Sequence, residues 1–160
     1  MSISRQTLTI VIVTFKSEKV IDNCIKSISD QIKIIIVDNS NDQNFKDTLE
    51  KKYENVECIL SSSNLGMGSG NNLGLNNVKT EYALILNPDV ILRDNTISEI
   101  IKESKKIDSF AVLAPLSEDD KNPNYKIKKI DKKNINNLNP FKVESVDGFA
   151  MLLNLKKINQ

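Results

Sequence analysis

The chain has 160 residues, of which 39% are hydrophobic and 27% charged, and this composition fits one globular domain with its own core. The 22 basic and 21 acidic residues leave a formal net charge of +1, which does not support a generic attraction to nucleic acid or to an anionic membrane. The absence of histidine excludes Ser-His-Asp and Cys-His catalytic units and histidine-ligated metals.

The cysteines and the first apolar run indicate where the protein resides. Cys24 and Cys58 belong to no paired metal-binding motif, so we expect two reduced, buried thiols in a cytosolic chain, with a disulfide as the alternative. The apolar run at 8–15 is far shorter than the roughly 20 residues that span a bilayer, and no cleavage site follows it. We therefore predict a cytoplasmic protein without a transmembrane segment.

The apolar spacing along the chain predicts alternating strands and helices. Strands are predicted at 8–14, 33–37, 56–60, 82–86 and 110–113. A helix capped by Ser17 would follow the first strand and bury one face, formed by Val20, Ile21, Cys24, Ile25 and Ile28. Further helices are predicted at 45–53, 67–78 and 96–107, the last with Ile97, Ile100, Ile101 and Ser104 turned inward.

This alternation predicts the fold class. Strands that are apolar on both faces and are joined by helices indicate a mainly parallel sheet covered on both sides. We expect a three-layer α/β/α sandwich of the Rossmann-like kind, with right-handed crossovers. Ligands in such sheets bind at the carboxyl ends of the strands.

The pattern changes after Leu116. Residues 117–139 are rich in lysine, asparagine and aspartate, which predicts a long solvated loop, with a basic flap over an anionic ligand as the alternative. Residues 143–155 return to an extended pattern around Gly148, and the chain stops at Gln160 without a closing element. We therefore expect a shortened C-terminal part.

Polar residues follow the first two predicted strands. The hydroxyl of Thr14 and the ring of Phe15 can contact a nucleoside, although the same residues suit a simple turn into the helix. Asp38, followed by Asn39, can accept hydrogen bonds from a base N–H or a ribose hydroxyl, and an Asx-turn is the alternative.

A glycine-rich segment follows the third predicted strand. Gly66, Gly68 and Gly70 alternate with other residues, but Asn71 stands where the dinucleotide fingerprint has its last glycine, and the segment is not a P-loop. Glycines allow a close backbone approach, and a helix N-terminus favours anionic groups. The segment therefore favours a phosphate-bearing ligand over the alternative of a flexible loop.

Asn87-Pro88-Asp89 directly follows the fourth predicted strand. Pro88 restricts Asn87 to extended conformations, and in extended chain the side chains of Asn87 and Asp89 point the same way. Two oxygens at a strand end suit a hard divalent cation that keeps positions for phosphate oxygens. The alternative is an ordinary Asn-Pro turn.

Taken together, residues 11–15, 36–40, 64–74 and 86–89 resemble the family 2 glycosyltransferases in order and spacing. The resemblance covers about the first 115 residues, with a weaker echo at 147–153, and is greatest for the bacterial rhamnosyltransferase-like branch. It implies the nucleotide-diphospho-sugar transferase fold of the A type in a single domain over 1–160. Residues 1–116 would form the donor half, 117–142 a loop, and 143–160 the incomplete start of the acceptor-side half.

The resemblance also implies roles for individual residues. Those that would contact or border the donor are Thr14, Phe15, Asp38, Asn39, Asn64, Gly66, Gly70, Asn71 and Asn87. Asp38 would bind the base, and Asp89 would ligate Mn²⁺ or Mg²⁺ on the diphosphate. Asn87 replaces the first acid of the family's Asp-x-Asp motif, so it would either assist the cation or contact sugar or phosphate. The catalytic base would lie beyond Gln160, with Asp147 on an acceptor-side turn.

The activity that the resemblance implies is an inverting, metal-assisted sugar transfer from a UDP- or dTDP-linked donor. The acceptor would be a glycan or a lipid-linked glycan in cell-surface polysaccharide synthesis, so the inner face of the membrane is an alternative location. We expect this chain to hold donor binding only. A non-catalytic nucleotide-sugar-binding module is the alternative, whereas residues 14–18 lack the glycine that a nucleotidyltransferase would need. The oligomeric state is left open.

Overall fold

The computed structural model describes residues 7–107, 109–117, 124–127 and 140–158. Its first strands and helices alternate as β1 (Leu8–Thr14), α1 (Ile21–Lys26), β2 (Lys33–Asp38), α2 (Gln43–Lys52), β3 (Val56–Leu60), α3 (Gly66–Leu75), β4 (Tyr82–Leu86) and α4 (Thr96–Ser104). The remaining elements are β5 (Val112–Leu113), β6 (Tyr125–Lys126), β7 (Ser145–Val146), β8 (Ala150–Asn154) and α5 (Leu155–Ile158).

One six-stranded sheet, with the order β3-β2-β1-β4-β8-β5, organises the molecule. β1 pairs in parallel with β2 and with β4, and β2 pairs in parallel with β3. β8 runs antiparallel between β4 and β5, so β5 points the same way as β4. The mainly parallel sheet that the sequence predicts is thus confirmed, with one antiparallel strand inserted. β6 and β7 form a separate two-stranded sheet.

Helices cover both faces of the large sheet, which confirms the predicted α/β/α sandwich. On one face, the central strands contribute Ile10, Ile12, Ile34 and Ile36 to a core that also holds residues of α1, α2 and α4. α3 lies on the opposite face, against β1 and β2. Because β1 is buried from both sides, its β-branched sequence needs no polar alternation.

Two glycines let α3 approach the sheet closely. A Cβ atom on Gly70 would lie 2.8 Å from Val13 Cγ1, and one on Gly74 would lie 2.5 Å from Val11 Cγ1. Any side chain at these two positions would displace a valine of β1 or lift the helix from the sheet. The low helix propensity of glycine is therefore offset by the packing of α3 on β1.

The start of α1 differs from the prediction. The helix begins at Ile21, its N-cap position is Val20, and no side chain caps it. Ser17 instead accepts a hydrogen bond from the Phe15 backbone at its hydroxyl, while its carbonyl accepts from Val20 and Ile21. The predicted Ser17 cap is therefore wrong, because a turn separates this serine from the helix. Val20, predicted to be inward, is exposed.

The boundaries of the other predicted elements differ less from those in the structure. α2 is capped by Asp42, whose side chain accepts from Phe45 N at 3.1 Å. β5 is limited to two residues, and Phe110, predicted within it, stacks on Tyr82 instead. Most of the predicted loop at 117–139 lies outside the described residues, so neither the solvated loop nor the basic flap is decided there.

Both cysteines are buried and free, as expected. Burial raises the pKa of each thiol to about 12, so both are protonated at neutral pH. Within the described ranges, no helix combines the length and apolar character needed to cross a bilayer.

The packing of α3 predicts opposite effects for two glycine substitutions. Gly74→Ala should lower the free energy of unfolding by about 1–3 kcal/mol, because the new methyl overlaps Val11. Gly68→Ala is the matched control, since nothing lies within 4 Å of its Cβ position, and it should stabilise the helix by about 0.5–1 kcal/mol. Urea unfolding of both variants measures the difference, and equal effects would contradict this packing.

Candidate functional site

The strand register brings the polar strand ends to one edge of the sheet. Thr14 is opposite Asp38 in the β1–β2 pair, and Ile12 is opposite Leu86 in the β1–β4 pair. Leu86, the last residue of β4, is therefore level with Ile36, two residues before the end of β2. The two strands lie about 10 Å apart across the sheet, at two strand spacings of roughly 4.8 Å. The segments that begin at Asp38 and Asn87 share this edge, as expected for parallel strands.

Asp38 is fixed in place by two hydrogen bonds. Its Oδ1 accepts from Thr14 Oγ1 at 2.9 Å, and its Oδ2 accepts from the Asp42 backbone at 3.0 Å. The side chain is 1% exposed and Thr14 is fully buried. These contacts give Asp38 the role of a turn-stabilising residue, and they orient its carboxylate through Thr14.

Asn39 joins three segments at the same edge. Its Oδ1 accepts from Ser61 Oγ at 3.1 Å and from Leu65 N at 3.4 Å, and its Nδ2 donates to the Gly66 carbonyl at 3.2 Å. The buried Asn39 side chain therefore fixes the end of β3 and the start of α3 to the end of β2.

The loop after β1 presents an aromatic ring to solvent. Phe15 is 49% exposed, and the ammonium of Lys16 lies 5.6 Å from the centre of its ring. Lys16 adopts a positive φ of 52°, and its backbone N–H donates to Ser40 Oγ at 2.7 Å. This hydrogen bond joins the loop after β1 to the loop after β2 and leaves Phe15 facing outward.

The glycines at the start of α3 fall into two kinds. Gly66 has a φ of +72°, which favours glycine, and Asn64 Oδ1 accepts from its N–H at 2.9 Å. The positions that side chains would take at Gly66 and Gly68 are open, whereas Gly70 faces Val13 inside the molecule. The neighbouring Asn71 is 7% exposed, and its Oδ1 has no hydrogen-bond partner.

The segment after β4 is a turn rather than an extended strand end. Val90 N donates to the Asn87 carbonyl at 3.2 Å, which closes a four-residue turn with Pro88 in its second position. The extended conformation expected for residues 87–89 is therefore wrong, and the Asn-Pro turn named as its alternative is present instead. Asp89 is exposed and Asn87 half-buried, and the proximity of Asp89 contributes to the raised pKa of Cys24.

The turn before β8, where the resemblance placed Asp147 on the acceptor side, also reaches this edge. The Asn87 backbone donates to the Phe149 carbonyl at 2.9 Å. A Cβ atom on Gly148 would lie 3.1 Å from Met67 Cε, so the turn touches the first turn of α3. Asp147 and Gly148 thus lie beside the residues predicted to border the donor.

Ser40 lies within the 36–40 motif without a predicted role, and Ser61 was not predicted to lie at this edge. Ser61 directly follows β3, and Asp38 is the last residue of β2, so the position of a polar residue at a strand end was a usable signal. No comparable signal exists for the contact between Met67 and Gly148, because residues far apart in the chain form it.

Cation-binding groups at this edge are few. Within the described residues, no group of three or more His, Cys, Asp or Glu side chains comes together as a metal site would. The predicted pair, Asp89 and Asn87, offers one carboxylate and one amide. A cation there would need oxygen atoms of a ligand or of water to complete its coordination.

A cavity of about 420 Å³ lies elsewhere, between α4, the segment after β5 and the small sheet. Its lining is mostly apolar and includes Ile100, Leu113, Phe141 and Val146 together with Glu99 and Glu103. None of the residues predicted to bind donor or cation lines this cavity.

Comparison with known proteins decides the family. The sequence model of glycosyl transferase family 2 matches residues 9–159, which is nearly the whole chain. This chain belongs to glycosyl transferase family 2. All the strand ends described above lie within the matched residues.

One curated relative of this family 2 chain is the low-salt glycan biosynthesis hexosyltransferase Agl10 of Haloferax volcanii. It is 33% identical over 112 residues, which is 68% of this chain and 36% of the relative. The chain therefore spans about a third of the length of the curated relative it matches.

Solved structures share the fold of this family 2 chain. The mannosyltransferase PcManGT from Pyrobaculum calidifontis, in complex with GDP-Man and Mn²⁺, superposes with a TM-score of 0.67 at 12% identity, covering 96% of this chain and 46% of that protein. S. aureus TarS 1-349 in complex with UDP-GlcNAc gives 0.58 at 22% identity, covering 68% and 33%.

The three contacts of Asn39 predict a large effect of its removal. Asn39→Ala should lower the free energy of unfolding by about 2–3 kcal/mol, because the buried Ser61 hydroxyl after β3 and the Gly66 carbonyl at the start of α3 lose their partner. Asn64→Ala is the control, since the exposed Asn64 bonds only locally to Gly66, and it should lose about 0.5–1 kcal/mol. Urea unfolding measures both variants, and equal losses would contradict the role of Asn39.

Proposed function

We propose that this chain binds a nucleotide-diphospho-sugar donor at the carboxyl edge of β1–β4 and forms the donor-binding part of a glycosyltransferase. The observation that carries the proposal is that the polar segments after β1, β2, β3 and β4 lie on one edge of the sheet, where hydrogen bonds join the first three of them. Membership of family 2 supplies the reaction class.

The nucleoside end of the site would lie at β1 and β2. Phe15 offers an exposed ring for contact with the nucleoside, and Asp38 offers the remaining lone pairs of its carboxylate to a base N–H. Thr14 would act through Asp38, since its hydroxyl already donates to that carboxylate. Asn39 would act by holding the start of α3 in place.

The diphosphate would lie against the start of α3. The helix has ten residues, and its first N–H groups belong to Gly66 and its neighbours, where no side chain blocks an approach. The Gly66 N–H already donates to Asn64, so the remaining N–H groups of the first turn and the helix dipole would favour an anion there. The buried Oδ1 of Asn71, which lacks a partner, would accept a hydrogen bond from the donor, and Asn64 and Gly70 would border it.

The segment after β4 carries oxygen ligands that suit a divalent cation. Asp89 and Asn87 would hold Mn²⁺ or Mg²⁺, since carboxylate and amide oxygens are hard ligands. When bound, the cation would neutralise negative charge on the leaving diphosphate. The Mn²⁺ complex of PcManGT supports cation use in this fold. The alternative role for Asn87 is a contact to sugar or phosphate.

The finer assignments follow the sequence resemblance. We propose an inverting transfer to a glycan or lipid-linked acceptor in cell-surface polysaccharide synthesis, in the rhamnosyltransferase-like branch, in the cytoplasm or at the inner face of the membrane. The glycan-synthesis relative supports the acceptor class. The UDP-GlcNAc and GDP-Man complexes of the structural neighbours support a nucleotide-sugar donor. Asp147, beside the donor edge, is assigned to the acceptor side.

A non-catalytic nucleotide-sugar-binding module is the second candidate. The observation that favours it is the amide of Asn87 at a position where the family has an acid, because a neutral ligand weakens cation binding. Such a module would bind the donor nucleotide and transfer no sugar.

Thermal unfolding with nucleotides tests the site. UDP, dTDP or GDP should raise the melting temperature by mass action, and Mn²⁺ should increase that shift. Asp89→Ala should remove the Mn²⁺-dependent part, whereas Asp94→Ala, which alters another exposed aspartate of the same segment, should retain it.

The outcomes of this experiment separate the candidates. Absence of any nucleotide-dependent shift in the wild-type chain would contradict donor binding. A nucleotide-dependent shift that Mn²⁺ does not increase would favour the non-catalytic module, because its argument is the weak cation binding at Asn87. Binding without transfer is expected of both candidates.

A further inference from the structure

α1 contacts the segment that carries Asp89 through two side chains. Cys24 Sγ donates to the Asn87 carbonyl at 3.6 Å, a distance suited to a weak S–H···O hydrogen bond. Ser27 Oγ accepts from the Leu92 backbone at 3.0 Å. Because Cys24 and Ser27 are three residues apart in sequence, they lie on one side of the chain at the end of α1.

These two contacts fix both ends of the segment 87–92. At its first residue, the Asn87 N–H also donates to the Phe149 carbonyl, so Asn87 is held from two directions. At its last residue, the Leu92 side chain is buried in the core. Asp89 lies between the fixed ends, exposed, on the turn closed by Val90.

α1 itself is tied to its neighbour and can act as a support. Its residues Ile21, Cys24 and Ile25 are buried in the core. Asp22, on its other side, accepts hydrogen bonds from Lys52 and Tyr53 at the end of α2. A shift of the segment 87–92 relative to β4 would therefore have to break contacts to a helix that is fixed independently.

We propose that Cys24 and Ser27 are positioning residues that hold the turn bearing Asp89 at the donor edge. The inference rests on the proposed function, since Asp89 is the cation ligand proposed there. Neither side chain touches the donor or the cation. They act through the backbone of Asn87 and Leu92, and so set where the Asp89 carboxylate meets the diphosphate-bound cation.

Four variants separate positioning from general packing. Cys24→Ala removes the donor to Asn87, Cys24→Ser restores a hydroxyl donor, and Ser27→Ala removes the acceptor for Leu92. Cys58→Ala is the matched control, because it also removes a buried thiol but on β3, away from this segment.

Amide hydrogen exchange in the chain without ligand tests the contact itself. Ser27→Ala should speed exchange at Leu92 by about threefold to tenfold, and Cys24→Ala should do so at Asn87 and Val90, as expected for loss of one hydrogen bond. Cys24→Ser and Cys58→Ala should leave the exchange rates of these amides close to the wild-type rates. Unchanged exchange at 87–92 in both Cys24→Ala and Ser27→Ala would overturn the proposal.

Nucleotide titration tests whether the two contacts affect cation-dependent nucleotide binding. UDP, dTDP and GDP are each titrated calorimetrically with and without Mn²⁺. Cys24→Ala and Ser27→Ala should weaken the affinity in Mn²⁺ by about threefold to tenfold and leave the metal-free affinity unchanged. A merely structural role would lower both affinities together, and that result would overturn the proposal.

The wild-type titration distinguishes failure of this inference from failure of the proposed function. If wild-type affinity depends on Mn²⁺ and the variants match it, the positioning role alone is overturned. If the nucleotide affinity of the wild-type protein does not depend on Mn²⁺, the assignment of Asp89 as a cation ligand is overturned, and the positioning role is overturned as well. If no nucleotide binds, the donor site itself is overturned.

Discussion

The parallel pairing of β1 with both β2 and β4 is the constraint on which the site depends. It sets the ends of three buried strands at one edge, so that polar residues spread over more than seventy positions of sequence become neighbours. The strands can pair in this way because they are buried on both faces, by α1, α2 and α4 on one side and by α3 on the other. Packing of apolar strands thus determines where the polar chemistry lies.

Hydrogen bonds from side chains to backbone then fix the loops at that edge. Asn39 holds the start of α3, Ser40 holds the loop after β1, and Cys24 holds the turn after β4. These three side chains are buried or half-buried, whereas Phe15, Asn64 and Asp89 at the same edge are exposed. The edge therefore consists of a buried polar layer that orients exposed groups, which is the arrangement a ligand site requires.

Much of this could be predicted from local sequence. The β-branched and apolar runs predicted the bounds of β1 and β4 at 8–14 and 82–86, because buried strands need no other signal. Strand ends identified Asp38 and the segment after β4 as neighbours. Helix boundaries were less predictable: the turn that follows Ser17 delays α1 to Ile21, and tertiary packing lets glycines stand inside α3. Contacts between distant segments could not be predicted, including the insertion of β8 beside β4 and the hydrogen bond from Asn87 to Phe149.

Paramagnetic broadening by Mn²⁺ in the presence of a nucleoside diphosphate measures directly whether this edge is the site. In ¹⁵N-labelled protein, we expect the amide signals of the loops after β1, β2 and β4 and of the first turn of α3 to broaden together, with those near Asp89 affected most. Signals at the opposite edge, such as those of Lys33, Asn55 and Thr80, should remain sharp. Broadening centred on the cavity beside α4, or on that opposite edge, would contradict the account.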